Sequence, residues 1–341
     1  MNEKMISRQR VQSALDFQEP DRIPRDLVIL PPVMMSQPDQ VSEVLARWPL
    51  DIELPDFTYG QGNQQGTRNE VGVYYDEWGC PFSVAQAGLK GEVKEPIISD
   101  WSALEHLDIP YSFLDDADLT RVDPQWKSSD RFLLAKTHAR PFERLQFLRG
   151  TENVFLDIGD ESTELLDLLK IIHEFNLREI EMWANTKVDA IFFQDDWGSQ
   201  ENMLISPLQW REIFKPLYKE YAEIIRKAGK YVFFHSDGQI TKIIPDLIEI
   251  GVNALNSQLF CMDIESLTET FKGKITIWGE IDRQWILPSG DEQEVRAAVR
   301  RVRDAFDDGH GGLITWLEWN DDVTRSNIEA AFSEWEKPSG K

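Results

Sequence analysis

The sequence predicts a (β/α)8 barrel of the α/β class, and three observations carry that reading. Short apolar runs that end in polar residues recur along the chain, helical spacing follows each of them, and the strand candidates total eight. Strands alternating with amphipathic helices specify a parallel sheet, and eight parallel strands close a barrel. At 341 residues the chain is long for one compact domain but within the range that barrels reach with insertions. A single domain over residues 1–341 is expected.

In chain order, the first strand candidates are 23–30, 51–57 and 132–137, the second being the weakest. Between the second and third, residues 59–98 alternate around glycines (VGVYYDEWGCPF, then GEVKEPII), which predicts a β-hairpin inserted after the second strand as a lid or rim. Residues 115–123 read as an acidic loop. Five clear strands follow: 190–196 (AIFFQDD), 231–237 (YVFFHSD), 254–259 (ALNSQL), 275–282 (ITIWGEID) and 313–318 (LITWLE). The helices between them are equally legible. Pro207 opens a run in which Trp210, Ile213, Phe214, Leu217 and Tyr221 recur at helical spacing behind Ser206 as N-cap, and Asp263 caps 264–271. Gly229, Gly251 and Gly273 stand where helices should stop.

Composition removes several classes of function. A net charge of −24 repels polyphosphates and anionic lipid headgroups, so neither nucleic acid nor a membrane surface is an expected partner. A basic protein partner stays open. No apolar run approaches a membrane span, and residues 1–10 are polar with no apolar stretch behind them, so no secretory signal is read and a cytoplasmic location is expected. The two cysteines, Cys80 and Cys261, are then reduced thiols, each a packing residue or a ligand. Walker, Rossmann and nucleophile-elbow motifs are absent.

Barrel enzymes carry their chemistry at the C-terminal strand ends, so the polar residues that finish each run are the candidates. They are Arg25 and Asp26, His138, Gln194 with Asp195 and Asp196, His235 with Asp237, Gln258 with Cys261, Glu280 with Arg283, and Glu318. His235 leads because it ends a run of four apolar residues and is followed by a tight turn, although a rim histidine held by a hydrogen bond fits the same pattern. His, Cys and carboxylate ligands together suit Zn²⁺, and His235, Asp237, Glu318 and Cys261 are its candidate ligands. Cys261, between Phe260 and Met262, reads equally well as a buried apolar residue. Adjacent strand residues face opposite ways, so of Asp195 and Asp196 only one looks into the site unless the strand has already ended; a general base or substrate hydroxyl acceptor is one reading of the pair, and capping the next helix is the other. Trp197, Trp278, Trp316 and Trp319 at strand ends predict an aromatic-lined pocket for a small molecule, with packing as the alternative for each. Gln200, Gln258, Glu280 and Arg283 complete the expected substrate contacts. The GHGG of 309–312 reads as a close backbone approach or a helix stop.

Several of these segments together are similar to the uroporphyrinogen decarboxylase superfamily. They are DWGSQENMLISPLQWREIFKP, YVFFHSDGQITKIIPDLIEIGVNALN, ITIWGEID, GGLITW followed by NIEAAF, the N-terminal RVQSALDFQEPDRIPRD and the DEWGC of 76–80. The resemblance spans nearly the whole chain and implies a (β/α)8 barrel. Two chemistries come with it. The tetrapyrrole decarboxylases carry an RQAGR-like segment near the N-terminus, where this chain reads ILPPVMM. The other branch, the cobamide-dependent methyltransferases, passes a methyl group between a small substrate and a corrinoid protein, with zinc held by a His-x-Cys pair and a Cys on the last strand. The resemblance places His235 at the histidine, Asp237 at the first Cys and Glu318 within one residue of the last.

Replacing thiolates by carboxylates makes the site harder and more oxygen-seeking, which suits polarising a methoxy or alcohol oxygen. The resemblance therefore implies an enzyme that transfers a methyl group from an O-methyl substrate, such as a methoxylated aromatic, to a corrinoid-binding partner protein. If the metal has been lost, Asp237 or Glu318 is left as a general acid, with Asp196 beside them. Two alternatives stay open: a metal-independent decarboxylase with Asp26 as electrostatic anchor, and a non-catalytic small-molecule-binding barrel.

Overall fold

The computed structural model describes residues 5–89 and 91–337, so part of the N-terminal segment read for a leader, and Lys90 of the inserted segment, lie outside the described residues. Strands β1 (Val28–Ile29) and β2 (Ile52–Glu53) are short. Between β2 and the next core strand lies a three-stranded antiparallel sheet of β3 (Gly72–Tyr75), β4 (Pro81–Val84) and β5 (Glu92–Val93). The core strands are β6 (Phe132–Lys136), β7 (Ala190–Gln194), β8 (Tyr231–Ser236), β9 (Ala254–Ser257), β10 (Thr276–Glu280) and β11 (Leu313–Trp316), with β12 (Glu318–Trp319) continuing the last.

Seven strands form one parallel sheet in the order β11-β10-β9-β8-β7-β6-β2, curled into a barrel-like α/β fold. The segment 24–30 runs between its two edges. On one side Thr315 donates to the Pro24 carbonyl, and Asp26, Val28 and Leu30 donate to carbonyls of Thr315, Leu317 and Trp319; on the other, Asp51 donates to the Arg25 carbonyl at 2.9 Å.

Strand side chains alternate between two buried layers, the expected consequence of a period of two. Phe132, Leu134, Ala190, Phe192, Phe233, Ala254, Trp278, Ile314 and Trp316 fill the inside of the curl. Leu133, Ile191, Phe193, Val232, Phe234, Leu255 and Ile277 point outward and pack under the helices. The helix Ser7–Leu15 closes the end where the strands begin, contributing Val11, Ala14 and Leu15 to the inner layer. Gly312 donates to the Ala14 carbonyl there, and a Cβ at Gly311 would stand 2.9 Å from that oxygen, so the GHGG segment serves the closed end and not the mouth.

Helix boundaries follow local chemistry. Ser206 and Gln209 form a capping box at Pro207–Ile213, and Asp263 caps Ile264–Phe271. The run read as one helix from Pro207 breaks at Phe214, and Lys215–Lys227 restarts with Pro216 in its first turn, where a missing N–H costs nothing. No described helix is long and apolar enough to cross a membrane.

Asp51, fully buried, ties the segment 24–30 to the second strand. It accepts from Arg10 at 2.6 Å, from both terminal nitrogens of Arg22 at 2.7 and 3.0 Å, and from the Arg25 amide at 2.7 Å. Removing one partner of a buried charge network leaves the others uncompensated, at about 3–5 kcal/mol. Asp51→Ala is therefore expected to lower unfolding stability by about that amount in urea titration; a loss below about 1 kcal/mol would show that the network does not hold this edge.

Candidate functional site

Counting two residues past each inner-layer residue predicts what faces the open end of the curl: Lys136, Gln194, His235, Asn256, Glu280 and Glu318, with Asp196 one further step along its strand. The structure gathers these residues. His235, at the end of β8, sits with its Nε2 3.4 Å from Asp196 Oδ1 and 3.3 Å from Asp237 Oδ1. Its Nδ1 lies 2.6 Å from Asn256 Oδ1, and Asn256 Nδ2 donates to the Trp278 carbonyl at 2.7 Å. That second bond fixes the amide, so its oxygen faces the ring and Nδ1 must carry a proton. Nε2 is the working nitrogen. Burial opposes a charge on the ring, but hydrogen bonds and charge from Asp196 and Asp237 outweigh it and lift the His235 pKa to about 10.

The loops after β7 and β8 are clamped together by glycine. A Cβ on Gly238, at φ +76°, would fall 2.2 Å from the Gly198 backbone, and Gly198 donates to the Asp237 carbonyl at 3.0 Å. Gln258 Oε1 accepts from the Gly238 amide, and Asp196 Oδ1 accepts from the Asp237 amide at 3.0 Å. Only this approach sets Asp196 and Asp237 on the same side of the imidazole.

Arg283 completes the mouth. Its guanidinium hydrogen-bonds Asp237, reaches Glu318 Oε2 at 3.2 Å and stands 3.3 Å from Glu280 Oε1. Glu280 is 1% exposed, and its Oε2 has no hydrogen-bond partner among the described residues. Burial, set against the Arg283 charge, lifts the Glu280 pKa to about 8, so near neutral pH the carboxyl carries a proton. A cavity of about 190 Å³ opens beside it, bordered by Gln200, Gln258, Cys261, Glu280, Arg283 and Trp285.

Other expected site residues lie elsewhere, for identifiable reasons. Asp195 faces outward and is fully buried; its oxygens accept from the amides of Phe142 and Glu143 at 2.8 Å and from Tyr218 at 2.6 Å, so it caps the helix Pro141–Arg149 and does not line the cavity beside Glu280. Trp197 stacks on Phe142 at 4.2 Å beneath the helices, and Trp319 packs in the same layer. Trp278 and Trp316 belong to the inner core. The aromatic lining is thus corrected to Phe260 and the exposed Trp285. Asp26 is enclosed, accepting from the Leu27 amide at 2.9 Å and Trp278 Nε1 at 3.0 Å, and burial raises its pKa. Of the four expected metal ligands, His235 and Asp237 are brought together with Asp196. Glu318 is engaged by Arg283, Cys261 Sγ lies 3.1 Å from Gln200 Oε1, and the ligand atoms that converge within 4.8 Å are those of Asp196, His235 and Asp237. Asn256 escaped the sequence reading, which looked only at the last polar residue of each run; its place two past Ala254, opposite His235 in register, would have found it.

The family model for uroporphyrinogen decarboxylase (URO-D) matches residues 76–317. The chain belongs to the URO-D family. Among solved structures, a methyltransferase from Methanosarcina mazei is 13% identical with a TM-score of 0.71, covering 97% of this chain and 98% of its own. At that identity the likeness shows a shared fold. A glycosylated endo-beta-1,4-xylanase from Gloeophyllum trabeum is 10% identical over 96% of this chain and 99% of its own, with a TM-score of 0.44. A sugar phosphate isomerase/epimerase from Parabacteroides distasonis is 10% identical over 93% and 96%, with a TM-score of 0.41. No curated protein matches by sequence.

In this URO-D family member the buried acid Glu280 makes a signed prediction. A carboxyl whose folded pKa lies above its unfolded value of 4.5 binds a proton that the unfolded chain has lost, so stability falls as pH rises from 4.5 to about 8 and levels off above. Glu280→Gln removes that slope. In chelator-treated protein the variant is expected to gain on the wild type progressively between pH 5 and about 8, by thermal unfolding. Parallel profiles would show that Glu280 is ionised in the fold.

Proposed function

We propose that this URO-D family member is a methyltransferase that moves a methyl group from a small O-methyl substrate to the corrinoid of a partner protein, with Asp196, His235 and Asp237 holding Zn²⁺ at the mouth of an eight-stranded barrel completed by the segment 24–30. The convergence of those three side chains carries the reading.

The donor set fits the ion. A tetrahedron with bonds of about 2.0–2.1 Å has edges of about 3.3–3.4 Å. The His235 Nε2 distances to Asp196 and Asp237, 3.4 and 3.3 Å, match those edges and are long for charge-assisted hydrogen bonds. Asn256 on Nδ1 is the orienting partner that metal-bound histidines have. Bound there, the ion would act as a Lewis acid on the substrate oxygen.

The chain's own groups account for the rest. A reduced corrinoid carried by the partner would supply the nucleophile for the methyl carbon, and the electron pair of the C–O bond would stay on oxygen. The oxygen then needs a proton, and Glu280 holds one beside the cavity. Arg283 keeps Asp237 and Glu318 in place and offsets their charge. Gln200 and Gln258 line the same cavity and offer hydrogen bonds to a polar substrate. Asp26 is enclosed by its own donors, which leaves the decarboxylase reading without its anchor.

Metal analysis with a methyl-transfer assay tests this reading. Purified protein is expected to hold about one zinc per chain. His235→Ala is expected to lose both zinc and at least about 100-fold of the transfer to reduced cobalamin, and Asn256→Ala about tenfold. Undiminished turnover by chelator-treated protein would overturn the Lewis-acid role.

A further inference from the structure

His138, just past the end of β6, takes no part in the site described above. Glu179, fully buried on the helix Thr163–Ala184, holds both its backbone and its ring. The His138 amide donates to the two carboxylate oxygens at 3.0 and 2.9 Å, and Nδ1 lies 3.0 Å from Oε1. The Tyr59 hydroxyl donates to the same carboxylate, and its oxygen accepts from Trp183 Nε1 at 3.0 Å, which fixes the direction of its proton. Donors thus surround Glu179, so Nδ1 is the protonated ring nitrogen of His138. Tyr59 and Phe113 meet the imidazole edge-on, at 78° and 89°, and set its plane.

One ring atom is left over. Nε2 makes no hydrogen bond among the described residues, and the side chain, 21% exposed, borders a cavity of about 330 Å³ between the antiparallel sheet and the ends of the first core strands. Other polar groups around this cavity are occupied. Arg144 hydrogen-bonds both Asp76 and Glu77, and Arg140 pairs with Glu143. Tyr74, stacked on Phe82 at 5.1 Å, and Phe147 supply flat apolar walls.

We propose that this cavity binds a small aromatic hydroxyl compound, a phenol, whose oxygen shares one proton with His138 Nε2. With Nδ1 committed to Glu179, Nε2 offers one hydrogen bond, as acceptor when bare and as donor when protonated. A phenol matches both states, because its hydroxyl gives a proton to the bare nitrogen and its anion takes one from the protonated nitrogen. An ether only accepts and an ammonium only donates. When the proton passes to Nε2, the O–H electron pair stays on the ring oxygen, and Glu179 stabilises the imidazolium from the other side. The aromatic walls suit the ring. The site uses neither the proposed metal ligands nor Glu280, so it stands apart from the methyl-transfer reading.

Titration of the full chain, treated with chelator, with 4-nitrophenol in mildly acidic buffer reads affinity and proton position together, since the phenolate absorbs at longer wavelength than the phenol. One molecule is expected to bind per chain with a shift of absorbance toward the phenolate, and 4-nitroanisole and 4-nitrobenzoate to bind at least about tenfold more weakly. His138→Gln is expected to abolish the shift and to weaken binding at least about tenfold. Thr67→Trp, on the exposed side of the lining, is expected to block the cavity, and decides the matter if His138→Gln fails to fold. Binding without the shift, 4-nitroanisole or 4-nitrobenzoate as tight as 4-nitrophenol, or an unchanged shift in either variant would overturn the assignment.

Discussion

Arg283 is the charge on which the mouth of the curled sheet depends. Asp196, Asp237, Glu280 and Glu318 come from four different strand ends, and alternation turns all of them toward the same opening. Four carboxyl groups that close would repel one another strongly in a partly dry site if all were ionised, and Glu280 keeps its proton near neutral pH. One guanidinium touches three of them, and the imidazole of His235 stands against Asp196 and Asp237. The two cations divide the work differently. Arg283 is permanently charged, because its burial is outweighed by the carboxyl groups around it, Asp237 and Glu318 among them, whereas His235 would give up its Nε2 proton if the proposed divalent ion, which carries more charge than that proton, were bound.

Placement of the acidic residues turns on single steps of the backbone. Asp195 and Asp196 are neighbours, yet one caps a helix beneath the outer layer and the other faces the imidazole. A shift of one residue in β7 would keep only one of the two roles: it would put Gln194 at the start of the helix Pro141–Arg149 in place of the capping carboxylate, or Trp197 against the imidazole in place of Asp196. What prevents the shift is packing: Phe192 in the inner core and Phe193 under the helices fill spaces of different shape, and β7 is hydrogen-bonded between β6 and β8 along its length. Core volume thus fixes a functional position at its far end.

The strands, the helix caps and the leading role of His235 were legible because each rests on local chemistry: runs of apolar residues, a Ser or Asp before a helix, a polar residue after four apolar ones. What the sequence hid lies across strands. Asn256 matters because β9 pairs with β8 in a register that brings it opposite His235; its spacing from Ala254 shows only that it faces the open end, not what it meets there. Glu318 and Cys261 looked like ligands from their positions at strand ends, but Arg283 claims the first and Gln200 the second. The tryptophans failed as pocket lining for a related reason. A large ring at a strand end fills the space between two layers as readily as it faces a ligand, and Trp197 and Trp278 each found a buried hydrogen-bond partner, Tyr218 and Asp26.

The ligand set bears on why carboxylates stand where thiolates do in the methyltransferase branch that the sequence resembles. Thiolates donate much charge to zinc and leave it a weak Lewis acid that favours sulfur; two carboxylates and one imidazole donate less and favour oxygen. In this chain the replacement also changes the surroundings, since an oxygen ligand can be shared with a guanidinium, and Asp237 is held by Arg283. If the proposed ion binds here, a shared carboxylate would give it still less charge and push the balance further toward polarising an ether oxygen. The same Arg283 stands beside Glu280, whose proton the departing oxygen would need. On the proposed reading Arg283 would act twice on the oxygen end of the bond to be broken, through the ligand Asp237 and through the acid Glu280, and this would favour an oxygen-bound methyl group over a sulfur-bound one.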